Sequence, residues 1–383
     1  MEEWVAATVL PNIELQAPIE GGCVALVPRD DARIKALCRV HPNLKKFLGK
    51  FTDAFNEKIR PAVLIVHTDA PQSVFDVDAL ASFRDAIAVS TVVYNRALEL
   101  RYPHGNRINF SNSFWFYPWM LDKQYEGLIG STPAMLGIHD VSAFKGQSSP
   151  EIPQKILSNL DIDQPLLDAL LSRWQRRYTG RGISWSDRAL FRSLNMANQA
   201  AMLPAGSDTT FYDVGRLIGL WVSAFEILAH PGKGKSGIFP VYHLLEKVEW
   251  GGKPCAARRY KAYSPNRNAQ DRRTLACWLY GEIYDARNQF LHGNVVSQNR
   301  LIVKKADRSL FQFAAPLYRM ALTGFLPLSC PDLVSSNDDL KALGEYIAAS
   351  VGFRSYQKTI EEGLLTARGE DSTRPTLRKR SAP

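Results

Sequence analysis

Ile283-Tyr284-Asp285-Ala286-Arg287-Asn288-Gln289-Phe290-Leu291-His292-Gly293-Asn294 is the stretch on which the reading of this chain turns. It closes a helix predicted over Asp271–His292, because Leu275, Leu279, Ile283, Ala286 and Phe290 recur at three- and four-residue steps and would face a bundle core. The polar residues sit beside that stripe. Asn288 and His292 share a helix face, whereas Arg287 needs its long side chain to bring the guanidinium round to them. Gly293 and Asn294 stop helices, which puts His292 in the final turn at the rim of the bundle, where a substrate can reach it.

Working outward, the same periodicity predicts helices over Asp163–Tyr178, Ser186–Leu203, Phe211–Ala229, Phe239–Trp250, Ala306–Phe325, Asn337–Val351 and Tyr356–Ala367, several opening on serine or aspartate. Strand signals vanish after about Gln147. Before it the pattern is mixed: strands are expected at Trp4–Leu10, Cys23–Val27, Pro61–His67, Ile108–Trp119 and Leu128–Ile138, and helices at Asp31–Phe47 and Val77–Leu100. The expected fold is therefore an α+β or α/β N-terminal domain (residues 1–155), a helical bundle (156–367) and a flexible basic tail (368–383).

Arginine, a polar residue, a three-residue gap, histidine and glycine, as in Arg287-Asn288 to His292-Gly293, resemble the R-x4-H signature of HEPN domains, and in particular the ApeA-like HEPN branch. An earlier helix, Gly219-Leu220-Trp221-Val222-Ser223-Ala224-Phe225-Glu226-Ile227-Leu228, followed by a Gly/Lys loop, agrees in order and spacing. The likeness covers roughly Ser184 to Phe325 and leaves the N-terminal domain unidentified. It implies an all-α HEPN-like bundle that cuts RNA without metal or cofactor: the ribose 2′-hydroxyl attacks the adjacent phosphate, leaving a 2′,3′-cyclic phosphate and a 5′-hydroxyl. It also implies pairing of two bundles about one cleft, hence a homodimer, and a toxin or antiphage defence role.

The residue chemistry fits those roles. Arginine steadies phosphate charge through paired hydrogen bonds and histidine moves protons near neutrality, so Arg287 and His292 are the expected catalytic residues, with Asn288 orienting them. Glu226 is the one charge in the apolar run between Arg216 and His230 and would need a partner to offset its desolvation, for which Arg287 is the candidate. The other reading of the same residues is a non-catalytic bundle that binds nucleic acid, nucleotide or a protein partner, with Arg287 in a core ion pair and His292 capping its helix.

Charge and composition frame this. The 383 residues are 45% apolar and 22% charged, with 47 lysines and arginines against 38 acids and a formal charge of +9, which favours polyanionic partners. Two basic stretches interleave cations with rings. Arg258, Arg259 and Lys261 around Tyr260, continuing through Arg267 to Arg272 and Arg273, lead into the motif helix and are the expected RNA contacts. Arg173-Trp174-Gln175-Arg176-Arg177-Tyr178 is the weaker candidate. Phe114-Trp115-Phe116-Tyr117-Pro118-Trp119 is read as core, and the isolated His41, His67, His104 and His139 carry no metal-ligand spacing. Pro231-Gly232-Lys233-Gly234-Lys235-Ser236-Gly237 lacks the glycine and the leading strand of a phosphate loop and is read as a helix connector. Five scattered cysteines, an acidic start and no uninterrupted apolar span point to a cytoplasmic protein with no membrane segment.

Overall fold

The computed structural model describes residues 3–132, 135–146, 152–180, 182, 184–204, 209–234, 237–252, 256–265, 271–292, 295–329 and 340–369. Of the sequence-predicted features, Arg267, the helix stop at Gly293-Asn294 and the tail beyond Gly369 lie outside them. A strand-rich region comes first and helices follow.

The first unit is built on a four-stranded antiparallel sheet in the order β1 (Trp4–Leu10), β5 (Ala62–His67), β4 (Val24–Val27), β3 (Ile19–Glu20). Because every pairing in it is antiparallel, the unit is α+β, which settles the choice left open by the strand pattern. β5 is central and buried along almost its whole length, as its run Ala62-Val63-Leu64-Ile65-Val66 requires. A short β2 (Ile13–Leu15) pairs in parallel with β9 (Lys155–Leu157), and β6 (Met120–Leu121), β7 (Gly127–Thr132) and β8 (Met135–Asp140) form a meander.

Three local expectations change, each for a backbone reason. The helix predicted over Asp31–Phe47 is two, α1 (Ala32–Val40) and α2 (Pro42–Leu48), because the ring of Pro42 pushes His41 to an extended ψ of 91°. The strand predicted over Ile108–Trp119 is instead a 3-10 turn at Ser111–Phe114. There Ser111 Oγ donates to the Asn198 carbonyl at 2.6 Å and Asn112 Oδ1 accepts from the Leu203 amide at 2.7 Å, so these polar groups bind non-ladder backbone. Leu128–Ile138 is not one strand but the β7–β8 hairpin. The aromatic run packs as expected, with Tyr117 inside a cluster of Phe47, Phe51 and Phe144.

The compact units are residues 1–92 with 108–209, and 93–107 with 210–383, so the boundary predicted at 155/156 moves to 209/210. The reason is side-chain anchoring. Helix α4 (Gln164–Thr179) buries Trp174, whose Nε1 donates to the Ala79 carbonyl at 2.8 Å on α3 (Val77–Arg101), and the Tyr178 hydroxyl bonds Asp78 and Ser82. Helix α5 (Trp185–Ala200) is tied to α4 through Asp187, which pairs with Arg173 and Arg176.

The second unit is made of α6 (Phe211–Ala229), α7 (Ile238–Glu246), α8 (Leu275–Leu291), α9 (Leu310–Phe325) and α10 (Leu340–Leu365), joined by the end of α3. The latter belongs here because Arg101 pairs with Glu362 at 2.6 Å and Tyr94 meets Tyr356 edge-on at 4.8 Å. Helices predicted separately over Asn337–Val351 and Tyr356–Ala367 are continuous as α10. The bundle is not purely helical: two ribbons, β10 (Tyr260–Lys261) with β11 (Arg272–Arg273) and β12 (Ile302–Val303) with β13 (Arg308–Ser309), precede α8 and α9. No helix among the described residues is long and apolar enough to cross a membrane.

Candidate functional site

Helices α6 and α8 pack against each other, and their contact positions the motif. Thr210 and Asp213 form a capping box that starts α6, while Thr274 Oγ1 accepts from the Cys277 amide to start α8. Gly215 faces the ring of Phe290, which occupies the place a β-carbon would take. The α8 stripe is buried as predicted at Leu275, Leu279, Ile283 and Ala286, with Phe290 half-buried among Phe211 and Tyr212.

One face of α8 gathers Tyr280, Tyr284 and Arg287, spaced four and three apart. The Arg287 guanidinium lies 5.8 Å from the Tyr284 ring centre, and its Nη1 donates to Asn288 Oδ1 at 2.9 Å. Its Nε is buried and has no hydrogen-bond partner among the described residues. Glu226 of α6 faces this cluster half-buried. Burial pushes its carboxyl pKa up, and the neighbouring Arg287 charge pulls the other way. Burial also raises the Tyr280 phenol well above its ordinary value, with the Glu226 charge adding to the shift. Tyr242 closes the group by donating to the Tyr263 carbonyl at 2.8 Å.

His292 stands apart. It is the C-cap of α8, its amide donates to the Asn288 carbonyl, and its side chain is exposed with no hydrogen bond, ion pair or ring contact among the described residues. Arg287 and His292 are about 140° apart around the helix. Within one chain the structure thus brings together Arg287, Asn288 and Glu226, and leaves the imidazole free at the edge. Sequence reading missed the tyrosines of this site, although the Tyr280, Tyr284, Arg287 spacing was there to be seen. His230, four residues after Glu226, turns its Nδ1 to accept from the Gly232 amide at 3.0 Å.

The RNA-contact candidates divide. Arg273 is occupied, bonding Glu246 at 2.8 Å and Asp271 at 3.4 Å over the Tyr242 ring. Arg259 donates to the Ala256 carbonyl but remains exposed, as do Arg258, Lys261 and Arg272. Arg267 cannot be placed, lying outside the described residues. In the other basic stretch the cations are consumed: Arg173 and Arg176 pair with Asp187, Arg177 with Asp78, and Trp174 is fully buried. Three of the lone histidines pack edge-on against rings, His41 on Tyr125, His67 on Trp4 and His139 on Trp119. No group of three or more potential metal ligands occurs among the described residues.

The raised Glu226 pKa has a measurable sign. The folded chain retains that proton at pH values where the unfolded chain has released it, so the stability contributed is complete below the unfolded value and lost as pH rises through the folded one. Glu226→Gln cannot ionise. Its thermal midpoint should therefore climb relative to the parent protein as pH goes from about 4 to about 7. A gap that shrinks over that range would mean the Arg287 charge outweighs burial. A comparison with known proteins finds no matching family model, curated protein or solved structure.

Proposed function

We propose that this chain is a metal-independent endoribonuclease of the HEPN type, working as a homodimer in antiphage defence or as a toxin. The observation that carries the reading is the cluster of Glu226, Arg287 and Asn288 at the α6–α8 contact, one turn from an exposed His292 at the end of the same helix. Arg287 bears on the scissile phosphate, with donor capacity left over after its bond to Asn288. Glu226 holds the guanidinium in orientation from behind, as a carboxylate commonly does for a charged functional group. His292, open to solvent, takes the proton of the 2′-hydroxyl or returns one to the leaving 5′-oxygen.

The angular separation of Arg287 and His292 calls for a second copy. Tyr212, Leu291 and Val295 expose apolar side chains around the end of α8, beside the Phe211–Phe290 contact. We assign this patch to pairing of two chains, which would set one copy's imidazole near the other's guanidinium. Leu291→Asp should turn a dimer into a monomer in light scattering after size-exclusion chromatography, and RNA cleavage should fall with it. A protein that is monomeric before the change would remove the shared cleft.

A non-catalytic, RNA-binding bundle is the second reading, favoured by the same separation within one chain. Incubating the purified protein with mixed RNA, with and without EDTA, and analysing the fragment ends decides between them. EDTA-resistant fragments with 2′,3′-cyclic phosphate and 5′-hydroxyl ends are expected. Binding without cleavage at any protein concentration would select the second reading.

A further inference from the structure

The ribbon β10–β11 sets Lys261 directly opposite Arg272. Like charges facing each other across paired strands repel, so such a pair is expected to have a counter-charge nearby. Arg273, next in sequence, has one in Glu246. Arg259, Lys261, Arg272 and Arg368, by contrast, make no ion pair among the described residues. Together with Tyr260 and Trp278 these four cations line a cavity of about 490 Å³, and no acidic side chain lines it among the described residues. That size suits one small organic ligand, for which pockets run from about 300 to 1,000 Å³.

The two rings form a shelf. Their centres are 6.0 Å apart with planes 36° from parallel, and the Arg368 guanidinium covers both, 4.9 Å from Tyr260 and 5.0 Å from Trp278. A planar cation on a pair of rings occupies the position a nucleobase takes when it stacks on aromatic side chains. The Tyr260 hydroxyl is buried with no hydrogen-bond partner among the described residues, which marks a polar atom that a ligand would satisfy. A flat aromatic surface and a concentration of unpaired cations in one cavity match a ligand carrying both a ring and a phosphate.

We propose that this cavity holds one nucleotide unit of a single-stranded RNA, with the phosphate among Arg259, Lys261 and Arg272 and the base on the Tyr260–Trp278 shelf in place of Arg368. The choice of RNA rests on the ribonuclease reading. Trp278 and His292 lie about 21 Å apart along α8 and within about 40° of each other around it, so a strand held at the cavity can follow one helix face to the motif. The acids on that face, Glu282 and Asp285, are already paired with Arg300.

The test measures binding of a fluorescent single-stranded oligonucleotide with 2′-O-methyl riboses, which cannot be cut, by polarisation. Lys261→Glu with Arg272→Glu changes two exposed side chains and should weaken binding at least about tenfold and flatten its salt dependence. Trp278→Ala should cost about ten- to a hundredfold, with Trp278→Tyr restoring most of it. Adenosine 5′-monophosphate should compete only weakly. Equal affinity for it and the strand would overturn the strand assignment, and a loss in the charge variant with none in Trp278→Ala would reduce the cavity to a charged surface and overturn the stacking. If the parent protein cuts RNA while both variants bind as it does, this inference falls and the nuclease stands. If the variants lose binding but the parent never cuts, the nuclease falls and the cavity stands.

Discussion

His292→Ala should lower RNA cleavage by about 10²- to 10⁴-fold, the range for loss of a positioned proton-transfer group, while leaving the fold unchanged. The second half of that expectation follows from exposure: the imidazole touches nothing described, and substitutions at such surface positions shift stability by only about 0.5 kcal/mol. Arg287→Ala should cost about 10²- to 10³-fold through lost stabilisation of phosphate charge. It differs from His292→Ala in one respect, since it removes the positive charge facing the half-buried Glu226 and so lowers stability at neutral pH. Combining Arg287→Ala with Glu226→Gln should restore the melting temperature and not the cleavage. Initial rates on a defined RNA alongside thermal melts check all three variants. Undiminished cutting by both single variants would remove these residues from the mechanism.

The largest stability effect is expected in the other unit, at Asp187. This carboxylate has 0% exposure; it accepts from Arg173 at 3.0 Å, from Arg176 and from Ser184 Oγ at 2.6 Å. Asp187→Ala strands two guanidiniums that were packed around a buried charge, and breaking such a cluster costs about 3–5 kcal/mol. The lower figure applies because the Arg176 side chain is half exposed and can rehydrate. For a unit of this size about 3 kcal/mol lowers the melting temperature by about 10 °C. Asp187→Asn, which keeps the oxygen facing Ser184, should lose less. A melt unchanged in Asp187→Ala would show that the arginines find equivalent partners in water.

These variants also separate what could be read from residue order from what could not. The bounds of α6 follow from its apolar run between Thr210 and His230, since a helix burying one face repeats with the period of the backbone itself. The end of α8 at His292 was legible for a different reason, the glycine and asparagine that follow it in the sequence. The break at Pro42 was equally present in the chain, yet the amphipathic pattern runs on through it and conceals it. The domain boundary was misplaced because α4 and α5 carry a helical period that says nothing of which partner they pack against, and only Trp174 reaching the Ala79 carbonyl decides that.

Charge shows the division most sharply. Arg173, Arg176 and Arg177 cannot be told from Arg259, Lys261 and Arg272 by composition, since both sets alternate cations with rings. Folding sets Asp187 against Arg173 and Arg176 and Asp78 against Arg177, whereas among the described residues no acid pairs with the second set, a difference set by residues distant in the chain or on a neighbouring helix. Local order was enough to specify the helices, their caps and the turn that carries Arg287, Asn288 and His292, because those depend on neighbours within a few residues. The tyrosines around Arg287 and the stacking of Arg368 on Tyr260 and Trp278 required the tertiary structure, because electrostatic and stacking energies depend on distance in space and not on separation along the chain.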